Sequence, residues 1–210
     1  MSLVSKSRSL SSKNWLKQHF RDQYVTLAFK KNVRSRAYFK LEDINKQNKL
    51  FKKGMTIIDL GSSPGGWSEY ASKIVRNSGH IVACDILPML PVKNVYFLQG
   101  DIKNSIFLNS LLSFINRKVD LVMSDMAPNM TGSRCIDNPR LLELNRLALK
   151  ISKRVLCNHG KLLIKSFYGE QFNVLVEEIR TLFIKVKIFK PNSSRTRSRE
   201  VYIIASERTK

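Results

Sequence analysis

Short apolar runs of strand length, at 55–60, 81–85, 95–99, 119–124 and 161–167, are separated for the most part by stretches of helical length, at 67–75, 105–115, 139–156 and 171–183. Strands joined through helices pair in parallel, with the helices covering the sheet, so the pattern predicts an open, doubly wound α/β sheet. Two further apolar runs, 183–189 and 201–205, are joined by the polar stretch 191–199, where no helix fits. They are expected to form an antiparallel pair at one side of an otherwise mostly parallel sheet. Ahead of the sheet, apolar residues recur at helical spacing from 14 to about 30 (Trp15, Leu16, Phe20) and from 36 to about 48 (Tyr38, Leu41, Ile44). Residues 1–12 are Ser-rich and basic with little to bury, and are expected to stay unfolded. The resulting division is a basic helical N-terminal arm, 1–53, and an α/β domain, 54–210; a chain of 210 residues suits one such domain with an appendage.

Charge is unevenly spread. The chain carries 37 Lys and Arg against 16 Asp and Glu, a formal net charge of +21. Residues 1–53 hold 14 basic and 3 acidic residues, residues 185–210 hold 8 and 2, and the middle, 54–184, holds 15 and 11. A nearly neutral body with basic ends points to a polyanion partner, because each neutralised phosphate releases counterions. Arginines cluster as well, at Arg34 and Arg36 and at Arg195, Arg197 and Arg199. Cys84, Cys135 and Cys157 show neither disulfide nor metal spacing, and His19, His80 and His159 are scattered. No metal site and no Ser-His-Asp triad is therefore expected. No apolar run approaches the length that spans a bilayer, and the polar N-terminus lacks a secretory core, so a cytoplasmic protein with no membrane partner is expected.

The first strand leads into Asp59-Leu60-Gly61-Ser62-Ser63-Pro64-Gly65-Gly66-Trp67. Glycines between a strand and a helix let backbone approach a ligand closely at a helix N-terminus. The dinucleotide spacing G-x-G-x-x-G is absent, and so is a Gly-Lys-Ser/Thr ending, which weakens NAD and P-loop readings. The second strand ends at Asp85, where a carboxylate can accept from both hydroxyls of an adenosyl ribose. The third ends in Gln99-Gly100-Asp101, where a carboxylate could meet an adenine amino group. The fourth runs into Ser124-Asp125-Met126-Ala127-Pro128-Asn129, and the fifth holds Lys165 inside Leu163-Ile164-Lys165-Ser166-Phe167. A lysine within an apolar strand is costly when charged, which makes it a candidate base. The alternative is a lysine at a strand end that simply reaches solvent.

Four segments resemble the FtsJ/RrmJ family of ribose 2′-O-methyltransferases: Arg34-Ser35-Arg36-Ala37-Tyr38-Phe39-Lys40-Leu41, the turn from Asp59 to Trp67, Ser124-Asp125-Met126-Ala127-Pro128-Asn129, and Ser194-Arg195-Thr196-Arg197-Ser198-Arg199-Glu200-Val201-Tyr202. The similarity runs from about Trp15 to Ala205. It implies a Rossmann-like class I methyltransferase fold and S-adenosyl-L-methionine as cofactor. The family's catalytic Lys-Asp-Lys-Glu tetrad falls on Lys40, Asp125, Lys165 and Glu200, and its cofactor positions fall on Gly65, Trp67, Asp85, Asp101 and Asp125. Ser62-Ser63 stands where the family more usually has a small apolar pair. The resemblance implies that Lys165 removes the ribose proton, with charged Lys165 as an electrostatic stabiliser the alternative. Lys40 would sit by the developing alkoxide, Asp125 would orient the lysines and the methyl donor, and Glu200 would position a lysine.

Among family members the chain is most similar to bacterial enzymes that act on large-subunit (23S) ribosomal RNA. The implied substrate is a uridine of the A loop in the large ribosomal subunit, and the expected enzyme is a monomer. Transfer RNA is the alternative substrate. A non-catalytic ribosome-assembly factor would not need the intact tetrad, and a small-molecule methyltransferase would not need the basic arm.

Overall fold

The computed structural model describes residues 22–209, so the expected unfolded start and the first part of the first helix lie outside the described residues. Two helices come first, α1 (Gln23–Lys30) and α2 (Ala37–Asn48). The sheet region follows as β1 (Thr56–Leu60), α3 (Gly66–Val75), β2 (His80–Asp85), β3 (Val95–Gln99), α4 (Ser105–Ile115), β4 (Val119–Ser124), α5 (Arg134–Val155), β5 (Leu156–Phe167), α6 (Phe172–Arg180), β6 (Phe183–Phe189) and β7 (Glu200–Arg208). The seven strands lie in the order β3-β2-β1-β4-β5-β7-β6. All neighbouring pairs are parallel except those of β7, which runs antiparallel to β5 on one side and to β6 on the other. The C-terminal antiparallel pair is therefore at the edge of the sheet as expected, with β7 wedged inside and β6 outermost.

The strand signal was strong because the central strands are covered on both faces. Every residue of β1 is buried, and alternate side chains go to opposite cores. Ile58, Leu60, Val122, Leu162, Ile164 and Ile203 face α4, α5 and α6. Ile57, Leu121, Met123, Leu163, Tyr202 and Ile204 face α2 and α3, against Leu41, Ile44 and Trp67. Because side chains alternate along a strand, Lys165, two residues after Leu163, projects to the α2 and α3 face. The register then pairs Lys165 with Tyr202 and Phe167 with Glu200, which brings the end of β7 beside it.

Two boundaries in the sheet region differ from the sequence reading by five residues, more than any other there. The helix read as 139–156 begins at Arg134 and carries Pro139 inside it. Asp137 explains the earlier start, since its carboxylate accepts from Thr131 N, Thr131 Oγ1 and Gly132 N and fixes the turn leading into the helix. The fifth strand begins at Leu156, directly at the end of α5, and reaches its expected span after a register shift between Val119 and Leu121 of its partner.

Candidate active site

The strand order sets the carboxyl ends of β3, β2, β1 and β4 side by side, with the chain reversing direction across the sheet between β1 and β4. Open α/β sheets hold ligands in the crevice at such a reversal. The glycine turn lies there. Gly61 has φ +75°, and a Cβ on it would stand 2.6 Å from Met126 Cγ and 2.9 Å from the Met126 backbone. Gly65 has φ +105° and caps α3 in the left-handed region, a conformation costly for residues with a Cβ. The turn is pinned by Gly61 N donating to Cys84 O at 2.9 Å and by Asp125 N donating to Leu60 O at 3.1 Å.

The acids predicted on this edge are all present on it. Asp85 accepts from Ser63 N at 2.9 Å and from Leu87 N at 2.8 Å, one bond per oxygen, which leaves each oxygen a further acceptor site. Asp101 is exposed and accepts from Lys103 N. Asp125 follows β4. Trp67 differs from the rest: its side chain is 1% exposed, packs on Tyr202 and donates from Nε1 to Ala37 O at 3.1 Å. Its indole belongs to the core, and only its backbone at the start of α3 faces the turn.

The four tetrad positions come together at the end of β5. Lys165 Nζ donates to the Asp125 backbone oxygen at 2.6 Å and lies 3.0 Å from Asp125 Oδ1. Lys40, on α2, sits 2.7 Å from both carboxylate oxygens of Glu200. Ser194 Oγ donates to Glu200 Oε1 at 2.9 Å. Burial pushes the Glu200 carboxyl up, but the Lys40 ammonium, the Lys165 charge and the Ser194 hydroxyl outweigh it and hold it below its ordinary value. Glu200 is thus anionic at neutral pH. Tyr202 was not singled out by sequence reasoning beyond its place in a motif. Its hydroxyl reaches Asp125 Oδ1 at 3.5 Å, and burial beside Asp125 and Glu200 raises the phenol well above its usual value, so it stays a neutral donor between the two acids.

Two of the clustered arginines are engaged inside the protein. Arg36 pairs with Asp22 and donates to Ser193 O, and Arg195 pairs with Asp22 at 3.0 Å. These bonds, with Ser193 N donating to Asp43 Oδ2, hold the 191–199 loop against α2 and so bring Glu200 to Lys40. Arg34 donates to Pro64 O at 3.4 Å, to Leu90 O at 2.7 Å and to Pro91 O, tying the glycine turn to the loop after β2.

Asp59 is a residue that sequence reading quoted but gave no role. It is fully buried at the end of β1, accepts from Ser68 Oγ at 2.6 Å, and keeps Oδ1 without a partner, as do the buried Ser62 and Ser124 hydroxyls nearby. Burial pushes its carboxyl up to about 7, against the Ser68 bond and with help from the Asp125 and Asp85 charges. The folded protein therefore holds a proton that the unfolded chain releases near pH 4, and stability is lost as pH rises toward 7. Between pH 5 and 6.5 the loss is about 2 kcal/mol, at roughly 1.4 kcal/mol per unit. Asp59→Asn is expected to remove that slope, and denaturant unfolding of both proteins across this range checks it. Parallel pH profiles for the two would show that Asp59 is ionised throughout.

A glycine cradle that tolerates no Cβ, acids on neighbouring strand ends and a buried lysine held by one of them define a Rossmann-like methyltransferase. The particular family follows from comparison. The chain belongs to the FtsJ-like methyltransferase family, whose model matches residues 33–208. A relative from Buchnera aphidicola subsp. Baizongia pistaciae, named ribosomal RNA large subunit methyltransferase E, is 53% identical over 208 residues, covering 98% of this chain and 99% of the relative. The protein of the same name from Buchnera aphidicola subsp. Acyrthosiphon pisum is 54% identical over 205 residues, covering 97% of this chain and all of the relative. Among solved structures, a ribosomal RNA methyltransferase from Plasmodium falciparum superposes with a TM-score of 0.74 at 28% identity, covering 83% of this chain and 98% of that one. Membership of a methyltransferase family implies a methyl donor. Among the described residues no helix is long and apolar enough to cross a membrane, and no three His, Cys, Asp or Glu are grouped to hold a metal ion.

Proposed function

We propose that this protein transfers the methyl group of S-adenosyl-L-methionine to a ribose 2′-hydroxyl of large-subunit ribosomal RNA, at a uridine of the A loop. The observation that carries the chemistry is the placement of Lys165. Two of the three directions at Lys165 Nζ are taken by Asp125, one by its carbonyl and one by its carboxylate. The third is left for a ribose hydroxyl. S-adenosyl-L-methionine, when bound, supplies an already activated sulfonium methyl whose leaving thioether is neutral, so no general acid is required.

Lys165 takes the hydroxyl proton while the O–C bond forms and the C–S bond breaks. Glu200 fixes the Lys40 ammonium by the edge of the site, where it steadies the charge developing on the ribose oxygen. Asp125 holds Lys165 and closes the donor end of the crevice. Gly65 and the Trp67 backbone would cradle the amino-acid part of the cofactor, Asp85 the ribose hydroxyls and Asp101 the adenine amino group. The names of the relatives support ribosomal RNA as the substrate, and the chain's +21 net charge supports a polyanion.

Asp85→Ala is expected to weaken cofactor binding by about 1.5–3 kcal/mol, more than tenfold, with RNA affinity changed far less. Isothermal titration with the cofactor and with RNA separates the two, and unchanged cofactor affinity would remove Asp85 from the site. The function as a whole is tested by mapping 2′-O-methylation on ribosomal RNA from cells with and without the gene, then adding purified protein and cofactor to the unmodified large subunits. Restored methylation at one A-loop ribose is the expected result. Methylation of transfer RNA instead would move the substrate and keep the chemistry.

A further inference from the structure

We propose that a groove along the outer side of α3, apart from the tetrad, carries a second stretch of the RNA substrate as a single strand. The proposal rests on the reading of the chain as an RNA methyltransferase and concerns a surface that the reaction does not use. The groove encloses about 1150 Å³. One end adjoins the glycine turn at Pro64, and the other reaches Lys53 and Asn77, beside the amino ends of β1 and β2. Between them lies the whole of α3, ten residues and about 15 Å long, so the groove suits an extended strand better than one compact ligand.

Its chemistry is two-sided. Met89, Leu90 and Val92 give it an apolar wall, with Leu90 77% exposed. Five cations, Arg34, Lys53, Lys73, Arg76 and Lys93, stand among the remaining, mostly polar, lining residues. Glu69 is the one carboxylate on the lining, and it is already occupied, accepting from Lys73 Nζ at 2.8 Å and from Arg34 N at 3.0 Å. Lys53, Arg76 and Lys93 form no ion pair among the described residues. Three unneutralised cations beside an apolar strip match a strand with phosphates on one edge and base faces on the other. The walls are already built: Ser72 Oγ donates to Lys93 O at 2.7 Å, Ser63 Oγ to Pro88 O at 3.0 Å, and Asn94 Nδ2 to Asn77 Oδ1 at 2.8 Å. The end at Pro64 abuts the glycine turn, at the edge of the crevice proposed for the cofactor, so a strand leaving the active site past that turn can enter the groove.

The test is the full chain carrying Lys53→Glu, Arg76→Glu and Lys93→Glu together. Two probes are used, single-stranded oligouridylate in a binding titration over a range of salt, and unmodified large ribosomal subunits in a methylation assay. Loss of three single-strand phosphate contacts is expected to lower the log–log salt slope by about 2. KM for subunits should rise about tenfold or more with kcat unchanged, and cofactor affinity should match the parent. The exchange Lys53→Arg, Arg76→Lys and Lys93→Arg should restore the parent values. If the glutamate variant fails to fold, the corresponding glutamine triple reads the same slope. An unchanged slope and KM would overturn the proposal. So would a raised KM for subunits with oligouridylate binding intact, which would assign the groove to an acidic protein surface. A parent that binds oligouridylate yet methylates no ribosomal RNA would instead overturn the proposed function, and the oligouridylate titration would still read the groove.

Discussion

Replacing Lys165 by arginine is expected to lower the single-turnover rate of methyl transfer by about a hundredfold or more while leaving cofactor and RNA affinities near their parent values. Arginine can donate to both Asp125 oxygens that Lys165 now engages, and it supplies the fixed positive charge that a purely electrostatic role would require. It cannot give up its proton under working conditions and so cannot take one from the ribose. The substitution therefore separates the base from the charge, which Lys165→Ala would remove together. Rapid-mixing methylation of unmodified subunits measures it, with calorimetry to show that the cofactor still binds. If the arginine variant keeps more than about a tenth of the rate, a cost under roughly 1.4 kcal/mol, Lys165 acts as a fixed charge and the proton leaves by another route.

The sheet was legible because its signal is repeated. β1 and β4 are apolar on both faces, and such runs recur at spacings that only parallel strands with covering helices satisfy. The site was legible in a different way. Lys40, Asp125, Lys165 and Glu200 sit on four separate elements, and no periodicity joins them. Their grouping was readable from the resemblance of the surrounding motifs, and geometry then supplied the pairings, Lys165 with Asp125 and Lys40 with Glu200. What stayed hidden depends on which side chains find partners after folding. Arg34 and Arg36 counted as available charge in the sequence, yet both are spent inside the fold on carbonyls and on Asp22. The opposite error hid the α3 groove. Lys53, Lys73, Arg76 and Lys93 are spread over some forty positions of a chain segment whose net charge is small, and only the packing of α3 beside the 86–94 loop gathers them. Asp59 had no local signal of protonation, because its carboxyl is set by burial and by two acids on other strands.

Trp67 is the residue on which sequence and structure divide most sharply, and its loss should act on stability before it acts on the cofactor. The family position implies a cofactor contact. The structure buries the indole to 1% exposure between α2 and β7, against Tyr202, with Nε1 bonded to Ala37 O. Truncating a buried tryptophan removes its transfer free energy and leaves a cavity, so Trp67→Ala is expected to cost about 3–5 kcal/mol and to lower the melting temperature by about 10 °C. Trp67→Phe keeps most of the volume and removes the indole hydrogen bond to the Ala37 carbonyl, a cost of about 0.5–1.5 kcal/mol. At a temperature where each variant is folded, cofactor affinity should fall by less than about threefold, because the backbone N–H at the start of α3 is unchanged. Thermal unfolding and calorimetry on the same samples decide the matter. A Trp67→Ala protein that melts with the parent but binds the cofactor tenfold more weakly would place the indole against the ligand, and would mean that α3 rotates when the crevice is filled.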